Sequence, residues 1–345
     1  MLTYRFSQEL VASARTVRLA QRLRLGYGSA ADFRSLGLLG ATLLPRAVGR
    51  ARRLERGLAA RGYDGDLPVL STARPASRVV IATVVGLGVS LSLHAGERVA
   101  LLGPNGCGKT TLLLHLAGVL RPRGGEVRLA GRPVDYSQTG LRELRRAVGL
   151  VLQNPDDQLF AASVYQDVSF GPLNLGLGES EVRARVADAI AALGVEGLAD
   201  RPPHRLSVGQ VRRVALAGVV AMRPRSLVLD EPTAGLDPAG VAALLATLGR
   251  LHADGTQLVV ATHDVDMTLG WADRVAVMNR GRVVAVGRPD EVFRDRALLA
   301  ATGLRAPWVV EVGDALRDSG IWPAGRPGPR TPDEVLAGIV RPPER

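Results

Sequence analysis

Lysine is all but missing from this sequence. Of 44 basic residues, 43 are arginine and one is Lys109. Cysteine is as scarce: the single residue, Cys107, excludes an intramolecular disulfide framework and suits a reducing, cytosolic setting. Aromatics make up 4% of the chain against 46% apolar residues, so the core must be aliphatic. There is no apolar run of about 18 residues, the length that a membrane-crossing helix needs. The nearest, residues 79–93, is β-branched and interrupted by Gly86 and Gly88. It predicts two strands with a tight connection. A secretory leader is not expected either, because Arg5, Glu9, Arg15 and Arg18 leave no apolar core between them.

The net charge of +11 is unevenly spread. Residues 1–80 hold 14 arginines and 5 acids, a balance of +9, which leaves +2 for the rest of the chain. Such a basic arm suits anionic lipid or an acidic protein groove. Without lysine or interleaved aromatics, a nucleic-acid partner is not expected.

The lone lysine sits in Gly103-Pro104-Asn105-Gly106-Cys107-Gly108-Lys109-Thr110-Thr111. This is G-x-x-x-x-G-K-[ST], the phosphate-binding loop. Its glycines let backbone amides wrap phosphates, and the amides with the following helix N-terminus supply positive charge. A slender ammonium fits inside that collar and a planar guanidinium does not, which explains why one lysine survives among arginines. Thr110 is placed for Mg²⁺. The apolar strand 98–102 before the loop and the helix-like stretch 111–120 after it are the context that the motif requires.

A second apolar strand ends in Asp230-Glu231-Pro232. Asp230 suits holding Mg²⁺ through water, and Glu231 suits polarising an attacking water. Leu206-Ser207-Val208-Gly209-Gln210 opens an arginine- and alanine-rich helix. Ser207 with the Gly209 amide reads equally as an anion site or as a plain helix cap. Further strands are predicted at 146–153 and 257–262. Val182, Val186, Ile190 and Leu193 share one face of a helix that stops at Gly194. The alternation predicts a mostly parallel α/β sheet.

These motifs resemble, in order, those of an ATP-binding-cassette ATPase. Residues 103–110 resemble its Walker A loop, Gln153 its Q-loop, 206–210 its signature, 227–232 its Walker B strand, Asp237 its D-loop and His263 its switch histidine. The resemblance implies an α/β P-loop fold, with a shortened antiparallel β subdomain and a helical signature subdomain. It implies ATP and Mg²⁺ as cofactors, with Thr110, Asp230 and Gln153 near the metal. Catalysis would fall to Glu231, His263 and Gln153. A head-to-tail partner cassette would receive Ser207, Gly209, Gln210 and Asp237.

Gln153-Asn154-Pro155-Asp156-Asp157-Gln158 and Gly303-Leu304-Arg305-Ala306-Pro307-Trp308 are similar to the energy-coupling-factor importers, including the cobalt and nickel type. Ala59-Ala60-Arg61-Gly62 resembles the coupling helix of those importers' transmembrane subunit, and Arg22 or Arg24 its companion helix. The expected organisation is a helical arm with linker at 1–77, an ATPase domain at 78–295 and an appendage at 296–345. The arm is expected to dock Arg61 near Asp156 and Asp157. The implied activity is ATP hydrolysis energising uptake of a cobalt or nickel ion or a vitamin, peripherally on the cytoplasmic side of the cell membrane. A second cassette, a transmembrane coupling subunit and a substrate-binding membrane subunit are the implied partners. A soluble non-transport ATPase and an inactive gene fusion stay open as alternatives. Two departures stand out: residues 70–88 contain no aromatic to stack on adenine, and Val208 replaces a signature glycine.

Overall fold

A computed structural model describes residues 82–86, 89–154, 158–322 and 325–340, together with Arg56. The expected arm helices, the linker, Asp156 and Asp157 lie outside the described residues. Contacts divide the described chain into a unit of 154–221 and a unit of 82–153 with 222–340.

The second unit carries both sheets. Strands β1 (Ala82–Gly86), β2 (Val89–Ser92), β4 (Glu126–Leu129) and β5 (Arg132–Pro133) form an antiparallel sheet in the order β2-β1-β4-β5. The two strands expected in 79–93 are there, paired Gly86 to Val89. The larger sheet contains β3 (Arg98–Leu102), β6 (Val148–Val151), β7 (Ser226–Asp230), β8 (Gln257–Ala261), β9 (Arg274–Asn279) and β10 (Arg282–Gly287). Its order is β10-β9-β3-β8-β7-β6, parallel except for the β9–β10 hairpin. β6, β7 and β8 are buried at every position, as parallel strands covered on both faces must be.

Two boundaries differ from expectation. The strand expected at 146–153 is only Val148–Val151, because Arg146 closes helix α2 (Gln138–Ala147). That helix starts where the Ser137 hydroxyl accepts a bond from the Gly140 amide at 3.2 Å, and it buries Leu144. The helix after the phosphate loop, α1 (Lys109–Leu116), stops before Gly118, whose φ is +65°. A Cβ on Gly118 would lie 2.6 Å from the Leu144 side chain, so the turn and the close packing both demand glycine.

The 154–221 unit is helical: α3 (Val164–Asn174), α4 (Glu179–Ala192) and α5 (Val208–Val220) pack on one another. Val182, Val186 and Ile190 are buried on the predicted face of α4, and Gly194 follows it at φ +60°. In the other unit, α6 (Pro238–Ala253) joins β7 to β8, and α7 (Val265–Trp271) joins β8 to β9. Short helices α8 (Pro289–Arg294), α9 (Arg296–Thr302), α10 (Trp308–Asp318) and α11 (Pro332–Val340) finish the chain. The appendage grips α7 at both ends. Arg305 pairs with Asp266 at 2.6 Å, and Arg330 donates to the carbonyls of Leu269 at 2.9 Å and Ala272 at 3.2 Å. Among the described residues no helix is long and apolar enough to cross a membrane.

Candidate active site

Because β3, β6, β7 and β8 run parallel, their carboxyl ends share one edge of the sheet, the place where open α/β sheets bind ligands. The phosphate loop follows β3, Gln153 follows β6, Asp230 ends β7 and His263 follows β8.

The loop folds as its glycines dictate. Gly103, Gly106 and Gly108 all have positive φ, +149°, +80° and +107°. A Cβ on Gly103 would fall 2.2 Å from the Met278 carbonyl oxygen and 2.7 Å from Cys107 Sγ. Cys107 is thus a small buried filler under the loop. Gly108 is the N-cap of α1, so the helix begins at Lys109. Lys109 is 7% exposed, and its Nζ donates to the Gly103 carbonyl at 2.6 Å and to that of Pro104 at 3.3 Å. Asn105, Gly106, Thr110 and Thr111 are exposed.

Thr110 Oγ1 donates to Asp230 Oδ2 at 2.6 Å, joining the loop to β7. Burial pushes the Asp230 carboxyl above its ordinary range; the Thr110 bond and the Lys109 charge oppose this, and the neighbouring Glu231 charge adds to it. Glu231 is buried and stands at φ +46°, its amide bonded to the Ala261 carbonyl at 2.8 Å. Its two carboxylate oxygens meet His263 Nδ1 at 2.9 Å and the Thr262 hydroxyl at 3.3 Å. Thr262 Oγ1 in turn accepts from the Asp264 amide at 3.1 Å, and Asp264 caps α7. Two buried acids, a threonine hydroxyl, a histidine and a caged ammonium therefore meet at one edge. That set can hold a polyphosphate, take a divalent cation and orient a water. Among the described residues no group of three or more His, Cys, Asp or Glu could hold a metal by itself. A hard cation here would complete its shell with phosphate and water oxygens, as Mg²⁺ does.

The remaining expected residues lie at the starts of helices. Ser207 and Gln210 belong to the helical unit and close a capping box on α5. The Gln210 carboxamide accepts from the Ser207 amide at 2.9 Å, and the Ser207 hydroxyl accepts from the Gln210 amide at 3.4 Å. Gly209 lies in the first turn of α5, and Val208 beside it is 63% exposed. Asp237 caps α6, accepting from the Gly240 amide at 2.7 Å. Sequence reasoning missed Thr262 as the second partner of Glu231. It also missed Met278 and Gly281, which brace the loop: the Gly281 amide donates to the Cys107 carbonyl at 2.9 Å.

A family model described as ABC transporter matches residues 87–234, and one described as cobalt transport protein matches residues 1–70. Over 252 residues the chain is 55% identical to the cobalt import ATP-binding protein CbiO of Rhodobacter capsulatus, covering 73% of this chain and 90% of that protein. The chain belongs to the ATPases of energy-coupling-factor-type ABC importers. It is 49% identical over 234 residues to the energy-coupling factor transporter ATP-binding protein EcfA of Methanocaldococcus jannaschii, covering 68% of this chain and 84% of that one. Among solved structures it resembles cbiO1 of Clostridium perfringens, described as part of the ABC transporter complex cbiONQ. There the TM-score is 0.59 at 42% identity, over 70% of this chain and 100% of that one. The protein is thus an energising, transport-coupled ATPase, preceded in the same chain by a segment, residues 1–70, that resembles the cobalt transport protein family.

Proposed function

We propose that the edge of the parallel sheet described above hydrolyses ATP with Mg²⁺, in the following division of labour. Lys109 and the amides of residues 103–111 hold the phosphates. Thr110 and Asp230 hold the metal, with Gln153 completing its surroundings from the end of β6. Mg²⁺, when bound, neutralises charge that builds on the phosphates. Glu231 orients and deprotonates the attacking water, and His263 steadies the terminal phosphate from the end of β8. The reading rests above all on the 2.6 Å bond by which Thr110, next to the buried Lys109, ties the phosphate loop to Asp230 at the end of β7.

Ser207, Gly209, Gln210 and Asp237 complete the site of a second cassette. A side chain used as a cap in one subunit still presents the helix start to a partner's phosphate. The ATPase works peripherally on the cytoplasmic side of the cell membrane, with a transmembrane coupling subunit and a substrate-binding membrane subunit. Its arm, 1–77, is the coupling-helix tail of the former; the ATPase domain is 78–295 and the appendage 296–345. The cargo is a micronutrient, a cobalt or nickel ion or a vitamin, and the name of the Rhodobacter relative favours cobalt. Co-expression with the membrane subunits tests this: wild type should support cobalt uptake and ATP hydrolysis, and Glu231→Gln neither. Hydrolysis without any association with a membrane subunit would refute the transport assignment to this chain.

A further inference from the structure

In the large sheet β3 lies between β8 and β9. Asp230, Glu231 and His263 all follow from β7 and β8, on one side of the phosphate loop. A nucleotide whose terminal phosphate points to that side carries its sugar and base to the other, over the β9–β10 hairpin. The hairpin is built against the loop. The Gly281 amide donates to the Cys107 carbonyl at 2.9 Å, and a Cβ on Gly108 would lie 3.8 Å from Gly281 Cα and 3.5 Å from the tip of Met278.

The hairpin's two-residue turn is Arg280-Gly281, between the paired Asn279 and Arg282. Both turn residues have positive φ, +48° and +77°. That turn favours Asn-Gly or Gly-Gly, and a long side chain at its first position is disfavoured. Yet Arg280 is exposed and, among the described residues, makes no hydrogen bond, ion pair or ring contact. A strained cation beside a ligand loop, unengaged among the described residues, brings no visible gain to the fold, which points to function. β1 (ATVVG) and β2 (VSLS) bring no aromatic residue. A guanidinium is planar, stacks on π faces and reads no base edge when it does so.

We propose that Arg280 is the nucleoside contact of this ATPase, its guanidinium lying on the purine of the nucleotide whose phosphates Lys109 holds. The proposal rests on the phosphate-loop reading above. It assigns this chain a base-tolerant site in which ATP and GTP bind alike.

The test is equilibrium binding to the full-length chain, comparing ATP, GTP and inorganic triphosphate, with wild type, Arg280→Asn and Arg280→Lys. Asparagine suits the turn, so the Asn variant should melt no lower than wild type. It should nonetheless bind ATP and GTP about five- to tenfold more weakly and triphosphate as well as before. Lysine keeps the charge and loses the plane, and should fall with asparagine. Unchanged ATP affinity in Arg280→Asn would overturn the proposal. So would full retention by Arg280→Lys, or an equal loss for ATP and triphosphate, which would mark a phosphate contact. Failure of wild type to bind triphosphate would overturn the phosphate-loop reading itself, and this proposal with it.

Discussion

His263 Nδ1 lies 2.9 Å from Glu231 Oε1, tying together the carboxyl ends of two neighbouring parallel strands. The Glu231 side chain is 8% exposed while the imidazole is largely open to solvent. Glu231 takes this position at the cost of a left-handed backbone at φ +46°, a conformation that a side chain of its size rarely adopts.

Replacing Glu231 by Gln keeps the shape and an acceptor for the Thr262 hydroxyl but removes the base. Hydrolysis should fall by at least about 10²-fold while nucleotide binding persists. Sizing chromatography with saturating ATP and Mg²⁺ should then show a stable dimer; a monomer, where wild type dimerises, would count against Glu231 as the base.

Lys109→Arg should cost about a hundredfold in ATPase rate, roughly 2.7 kcal/mol of barrier. The ammonium sits 2.6 Å from the Gly103 carbonyl in a nearly closed loop, and a guanidinium has no room there. A steady-state rate within a few-fold of wild type would show that charge alone suffices.

Asp230 predicts a trade of stability against function. Burial raises its carboxyl pKa, so the ionised form is costly in the fold without metal. Its favourable contribution is present below the unfolded-chain value near 3.8 and is lost as pH rises through the higher folded value. Asp230→Asn, which can still accept from Thr110, should therefore melt higher than wild type at neutral pH by a few degrees. The advantage should vanish below pH 3.8. The added stability that Mg²⁺ with ATP confers should be lost, and a lower melting point at pH 7 would contradict the burial argument.

Gly103→Ala should destabilise by about 1–3 kcal/mol, because the new methyl meets the Met278 backbone at 2.2 Å. Gly106→Ala meets nothing within 4 Å and pays only for its φ of +80°, about 1 kcal/mol. Urea melts of the two variants give the order directly.

The parts of this protein that were legible in the sequence are those set by local chemistry. A glycine pattern needing positive φ, a strand running into it and a helix leaving it lie within about twenty residues, so the phosphate loop could be read before any fold was known. The Asp230-Glu231 strand end and the helix face of Val182, Val186 and Ile190 are local in the same sense. Where local signals tie, tertiary packing chose. Arg146 went to a helix because Leu144 found a buried place there, and Ser207 with Gln210 closed on themselves as a cap. What no local pattern announces is the sheet order. It alone brings residues 103–110, 230–231 and 262–263 to one edge, and sets Met278 and Gly281 under a loop about 170 residues earlier. Hydrogen bonds and close contacts between distant segments depend on which strands lie side by side, and that is decided by the burial of whole faces rather than by any single stretch of chain.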